Sequence, residues 1–413
     1  MWKCRIAFFL GLLFLAVFWY DSGHRTRQLN AATGLVAVET APITAEQMQN
    51  RIDQAVASGV DLPPLVLWQR QEQQVVSGYL NRQTKLQVVT YLGAVDRLYV
   101  PEFLQGTWPT DPWGCVIDET VAQAIFGSKQ VLEQSLNWGD STYHITGVVA
   151  GGSGVGYFPI TDREDTVMSH LLLDLSQTGT GVFGAELVLQ QLKISAASCY
   201  DLGLWVWMLQ AAERLPAFML WVDLSVAAVS LHRRMGRLSL LTWVSSAGCL
   251  TAAVLLWKLA KFPGLPARLL PSRWSDFAFW TTQTQRMTDS VKAFFQNGGA
   301  QWELNFWTDL CLGFAAAIAA AIILGHLLQM ERRLTSKTVA AVSILWWLIL
   351  LGLIYRNRAT AYAMMDSILL LALPVWLSLR WGLERYEAWI FGVGKEETNE
   401  AMVEQSGEER PCS

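Results

Sequence analysis

The sequence predicts a polytopic α-helical membrane protein with an α+β extracytoplasmic domain inserted after the first transmembrane helix. Three observations carry this. Of 413 residues, 52% are hydrophobic and only 16% charged, against about a quarter charged in an ordinary soluble chain; mean hydropathy is +0.26. The apolar excess is concentrated in residues 6–20 and again beyond residue 203. Between them, residues 21–202 read as water-facing sequence with closely spaced helix and strand signals. A net charge of −4 with no basic patch excludes nucleic acid as a partner.

Taken in order, residues 1–20 form an N-terminal transmembrane signal anchor. Lys3 and Arg5 precede an unbroken apolar run that ends in Trp19 and Tyr20, residue types that anchor at the membrane interface. No small-x-small cleavage pattern follows, so the anchor is expected to stay, N-terminus inside. Residues 21–202 are the outer domain. A helix is expected over 43–58, because Ile43, Met48, Ile52 and Val56 recur at helical spacing, Thr44 is an N-cap with Gln47 three residues on, and Gly59 is a stop. Residues 65–68, 84–92 and 98–100 read as strands, as do 141–149 and 171–175. A short helix over 118–126 is capped by Asp118 and ended by Gly127.

Beyond the outer domain, residues 203–390 read as a transmembrane domain. Five spans are expected, at 203–231, 238–259, 306–330, 338–355 and 362–381, with an extracytoplasmic loop over 262–305; the first of them is either one long helix or a stalk over 202–215 running into a span over 216–231. Within that loop, 275–296 reads as an interfacial amphipathic helix. Six spans in all leave both termini cytoplasmic in the cell membrane. The basic groups Arg233, Arg234, Arg237 and Arg332, Arg333, Lys337 then fall inside, as the positive-inside rule asks, while Lys258, Lys261, Arg356 and Arg358 fall outside. The acidic tail, 391–413, is expected to be disordered.

Residues able to do chemistry are few. Asp118 and Glu119 are adjacent at a helix start, which suits capping rather than acid–base catalysis. The run Gly151–Gly152–Ser153–Gly154–Val155–Gly156 lacks GxGxxG spacing and a following Lys-Ser/Thr, so it reads as a loop and not as a phosphate cradle. His24 and His144 show no metal-ligand spacing. Cys115 and Cys199 are the cysteines of the outer region, either bonded to each other or free. Asp223, with Glu213 and Arg214, are the polar residues placed in or near a span, where polar groups are functional candidates or pair with a neighbouring helix. No catalytic, cofactor-binding or metal-binding set emerges.

One ordered set of residues resembles a known family. Leu104-x-Gly106-x-Trp108, Val116-Ile117-Asp118-Glu119, Ala122 to Phe126-Gly127, Tyr143-His144-Ile145-Thr146-Gly147-Val148-Val149 and Phe158-Pro159-Ile160 resemble the extracytoplasmic core domain of MacB/FtsX-type ABC transporter permeases. Gly147 is expected to break its strand, and Pro159 to sit on an edge. The resemblance implies a permease subunit of a transporter or mechanotransmission complex. Its partners are then a separate ABC ATPase subunit, a second permease subunit (the same chain or another) and membrane lipids, and its substrate is a lipid, a peptide or another hydrophobic molecule. The chain has no Walker A sequence of its own. The inner loop Arg233–Arg234–Arg237 matches the family's ATPase-coupling segment in its basic residues but lacks its glutamates, and five spans follow the outer domain where the family has three. Those departures fit a second reading, a membrane-anchored sensor or scaffold without ATPase coupling. A third, a membrane enzyme acting on lipid or cell wall, has only Glu213 and scattered residues of 262–305 to draw on.

Overall fold

The structure, a computed structural model, describes residues 2–78, 82–98, 102–151, 153–160, 166–235, 275–297, 300–331, 341–348 and 372–382, with single positions at 251, 254, 264, 266, 269, 270, 273 and 385. It forms two compact units, one of Met1–His24, Leu209–Pro263 and Leu312–Ser413, the other of Arg25–Met208 and Gly264–Cys311.

In the first unit, helix α1 (Trp2–Leu29) begins the chain and runs past the Tyr20 boundary expected from the sequence. Phe8, Leu12, Leu15 and Trp19 recur every three or four residues and are buried against Leu220 and Leu224 of one later helix and Leu324 and Leu327 of another. Residues 341–348 and 372–382 are also helical and add Trp346, Leu373 and Trp376 to the same cluster. Among the described residues two helices are long and apolar enough to cross a membrane by length and composition, Ile6–Ala32 and Gln301–Met330. Of the two alternatives for 202–231 the divided one is found: the helix breaks at Arg214 into α5 (Leu202–Glu213) and α6 (Leu215–Met235). The expected span 238–259 lies outside the described residues apart from Thr251 and Val254, and 338–355 and 362–381 are described only in part.

The second unit is built on a mixed sheet of ten strands among the described residues. In chain order they are β1 (Leu35–Thr44), β2 (Leu65–Ser77), β3 (Gln83–Gly93), β4 (Phe103–Gly106), β5 (Gly114–Asp118), β6 (Ser135–Trp138), β7 (Ser141–Val149), β8 (Val155–Pro159), β9 (Val167–Asp174) and β10 (Ala196–Asp201). They lie in the order β10-β1-β9-β2-β3-β8-β5-β7-β4, with β6 pairing β2 and β7. The β3–β8 and β5–β7 pairs are parallel and the rest antiparallel. Two successive rows of paired residues show how the faces divide. Val38, Leu171, Leu67 and Leu92 lie opposite one another and help form the core under helices α2 (Ala45–Ala57) and α4 (Val182–Gln191). Under α3 (Glu119–Phe126), Val88, Ile117 and Phe158 continue that core with Val121 and Ile125. The next row, Glu39, His170, Trp68 and Tyr91, points to the other face.

Local signals were reliable where they were short-range. Thr44 caps α2 through its hydroxyl, which accepts from Gln47 N at 3.2 Å. Gly127 ends α3 in the left-handed region, φ 72°, where a side chain would be strained. Three expectations need correction. Gly147 does not break its strand: it lies inside β7, where a Cβ would come within 2.8 Å of the Phe103 ring and of the Thr107 carbonyl oxygen. Pro159 is not on an edge, because β8 is interior, between β3 and β5; the proline is tolerated as the strand's last residue, beyond the reach of β5. Strand β2 is far longer than 65–68, and β1 was not anticipated at all. Of the strand expected over 98–100, residues 99 and 100 lie outside the described residues.

Candidate functional site

The chain enters and leaves the sheet through neighbouring strands. Only the 3-10 turn Asn30–Ala32 and the two turn residues Thr33 and Gly34 separate α1 from β1, and β10 passes into α5 without any intervening residue. Val36 of β1 lies opposite Asp201 of β10. Asp201 is buried and its carboxylate caps the new helix, accepting from Leu204 N at 2.9 Å. Gly203 follows in the first turn because the entering chain passes so close. A Cβ there would stand 1.9 Å from the Thr33 carbonyl oxygen, so no side chain fits. The two segments are thus held together by a buried cap and a glycine contact, with a five-residue turn on the α1 side and no residue between β10 and α5.

A third connection lands beside the same strands. Helix α7 (Phe277–Asn297) precedes α8 (Gln301–Glu331), and the start of α8 seats on the open face of the sheet. Trp302 is fully buried and meets the Trp68 ring edge-on at 5.3 Å; His170 stacks on the other ring pairing of Trp68, at 4.2 Å. Gln301 N donates to Gln87 Oε1 of β3 at 2.8 Å, and the Glu303 carboxylate accepts from Ala300 N at 3.0 Å, the returning half of a capping box. Farther along, Asp309 pairs with Arg25 of α1 at 2.6 Å. Ser198 donates to Glu39 at 3.0 Å. Burial holds the Tyr200 phenol well above its ordinary range, reinforced by the charges of Glu303 and Glu39.

His170 is the titratable member of this row near neutral pH. Burial lowers its pKa; the Glu39 carboxylate opposes that and the Arg70 guanidinium adds to it. An unfolded histidine takes up its proton near pH ~6.5, whereas the folded side chain resists it. The resulting stability is full above that pH and is lost as pH falls through ~6.5 toward the lower folded value. Subtracting the unfolding profile of His170→Gln from that of the wild type should reveal this loss as pH falls below ~6.5; a flat difference would rule it out.

Asp118 is where the sequence singled it out, and its carboxylate does more than cap. Buried completely, it accepts from Val121 N and Thr120 Oγ1, both at 2.8 Å, through one oxygen, and from Gly154 N at 2.6 Å and Val155 N at 3.2 Å through the other. The glycine run is therefore tied to the start of α3 by one side chain. Trp108 lies edge-on to Tyr91, Tyr157 and Phe103, at 6.2, 5.4 and 5.5 Å.

The other expected residues are placed as follows. Cys115 and Cys199 are both free. They lie on β5 and β10, six strand steps apart in the sheet, roughly 29 Å at about 4.8 Å per step. The bonded alternative is thereby corrected: no bridge spans that distance. Burial raises the Cys115 thiol strongly and pushes Cys199 up to about 11. Glu213 and Arg214 sit at the break between α5 and α6, 3.7 Å apart; Arg214 donates to the Gln210 carbonyl at 2.8 Å and Trp19 donates to the Glu213 carbonyl at 2.9 Å. Asp223 accepts from Trp376 Nε1 at 3.0 Å, the pairing with a neighbouring helix that its position suggested. Arg233 is exposed near the end of α6, Arg234 lies in the same helix, and Arg237 lies outside the described residues. Among the described residues no three of His, Cys, Asp or Glu are grouped to hold a metal ion. Sequence reasoning missed the Trp68–His170–Trp302 stack, whose members come from three separate segments; the aromatic residues Trp68 and Trp302 were its only signal.

No protein-family model and no curated protein matches the chain. Solved structures do. The chain is similar to the periplasmic region of MacB from Actinobacillus actinomycetemcomitans, at 12% identity over 41% of this chain and 90% of that one, with a TM-score of 0.33. It is also similar to the extracellular domain of the noncanonic ABC-type transporter YknZ from Gram-positive bacteria, at 16% identity over 40% of this chain and 96% of that one, with a TM-score of 0.30.

Proposed function

We propose that this chain is the permease subunit of an ABC-type transporter or mechanotransmission complex in the cell membrane. It works with a separate ATPase and a second permease subunit, the same chain or another, on a lipid, peptide or other hydrophobic substrate. The observation that carries the reading is the short joint, where five residues separate α1 from β1, α5 follows the edge strand β10 at once, and a glycine contact holds the two crossings together. A turn of either helix end is then passed to the sheet instead of being absorbed by slack chain. The set of motif residues from Leu104 to Ile160 supports the same reading. In it Arg233, Arg234 and Arg237 meet the ATPase on the cytoplasmic side, and both termini are cytoplasmic.

The test is purification of the native complex in mild detergent, with mass spectrometry and an ATPase assay. The expected result is a stoichiometric ATPase subunit that is lost when Arg233, Arg234 and Arg237 are replaced by Ala. A protein that purifies without any ATPase would instead favour the sensor or scaffold, the reading suggested by the missing glutamates in HRRMGRLSLL.

A further inference from the structure

A cavity of about 380 Å³ opens in the second unit, between α4, β10 and the first turn of α5 on one side and α7 on the other. That size is within the range of small-molecule sites, about 300–1,000 Å³. Most of its wall is apolar, with Phe183, Leu204, Trp205, Phe279 and Met287 among its lining side chains. Phe183 is 63% exposed and Phe277, at the start of α7, is 78% exposed, unusual for side chains of that size in a water-facing domain. The charged groups in the wall are one cation, Arg286, and one carboxylate, Asp201, so by residue type it has no net charge.

The surface of α7 is less polar than its sequence suggests. Thr281, Thr282, Thr284 and Thr288 are exposed, yet each hydroxyl donates to the carbonyl four residues earlier in the helix, at 2.8 to 2.9 Å. Their hydrogen-bonding capacity is met inside the helix, which is the condition a helix must satisfy at a lipid surface. The half-buried residues Phe279, Gln283 and Met287 repeat every four positions and face the cavity.

We propose that this cavity holds one acyl chain of a membrane glycerolipid, with α7 lying in the lipid surface as its cover. At roughly 30 Å³ per methylene, about the share of one water in the liquid, there is room for about a dozen carbons. A neutral wall selects the chain and ester region and does not discriminate by headgroup charge. Lipid is close at hand, because α8 begins four residues after α7 ends and carries an apolar stretch long enough to span. The site requires membrane insertion but no ATPase.

The full-length protein would be placed in phosphatidylcholine nanodiscs doped with a phosphatidylcholine bearing a diazirine at one acyl terminus, irradiated, digested and mapped by mass spectrometry. Adducts are expected on peptides of α4 and α7. They should fall at least fivefold in Met287→Trp, which fills the cavity, and in Phe183→Ser, which changes an exposed residue and leaves the core alone. Replacing part of the lipid by an anionic one should not alter them. Adducts on the apolar stretches of α1 and α8 report insertion separately. If those persist while α4 and α7 stay unlabelled, or if both substitutions leave the labelling unchanged, the lipid site is overturned and the permease reading is untouched.

Discussion

Replacing Asp118 by Ala is expected to lower the stability of the sheet domain by about 3–5 kcal/mol. The estimate adds the loss of an N-cap, about 0.5–2 kcal/mol, to the desolvation cost of buried donors left without a partner, about 1–3 kcal/mol each when nothing replaces the acceptor. Three backbone N–H groups and the Thr120 hydroxyl share this carboxylate, and the side chain is entirely buried. In thermal unfolding of the full-length protein in detergent, the midpoint of the sheet domain should fall by roughly 10 °C. Asp118→Asn should be intermediate, since it keeps one acceptor but turns an NH₂ toward donors. Glu119→Ala is the control. Its neighbouring carboxylate is at the surface with Lys129, and the midpoint should hardly move. Equal effects from the two neighbours would mean that Asp118 is not the clasp between α3 and the glycine run.

Trp302→Ala should cost a similar amount, about 3–5 kcal/mol for a large aromatic removed from a packed interior. Its effect should differ in place. Trp302 fills the space over Trp68, so its loss unseats the first turn of α8 from β2 and β9 while leaving the core under α2, α3 and α4 intact. Hydrogen exchange should rise in β2 and β9 and at Gln301–Phe306, with α3 still protected. Under the permease reading, the ATPase should remain bound and hydrolyse ATP without moving substrate. Trp302→Phe should restore most of the protection. Uniform loss of protection across the sheet would instead make Trp302 an ordinary core residue with no part in seating the helix.

What was legible in the sequence was what neighbouring residues decide. Thr44, Asp118 and Gly127 act on backbone groups two to four residues away, and each was placed correctly from local pattern. Strand β1 was missed because its pattern does not alternate: it is buried on both faces through Leu35–Val38 and carries Pro42. The continuation of α1 past Tyr20 was hidden by the polar run DSGHRTRQ, which stays helical with Ser22 and Thr26 buried and Arg25 paired to Asp309. The break at Arg214 was half legible: Pro216 suggested a stalk ending there, but without a glycine one long helix stayed open, and Pro216 sits where a new helix tolerates proline. The joint itself was illegible for a different reason: nothing in a sequence says that Gly203 will pass against the carbonyl of Thr33.

The order in which the strands are made has a consequence for assembly. Strand β1 is synthesised first, but its partners come late: Thr40 bonds to Ser169 across 129 residues and Glu39 to Ser198 across 159. Folding with so many distant contacts is slow and leaves an unpaired edge exposed meanwhile. Because β10 is followed at once by α5, the joint closes only as the last strand of the domain takes its place. Closure of the joint therefore waits on the pairing of β10 with β1, and a chain that has not completed the sheet has not yet placed Gly203 against the Thr33 carbonyl.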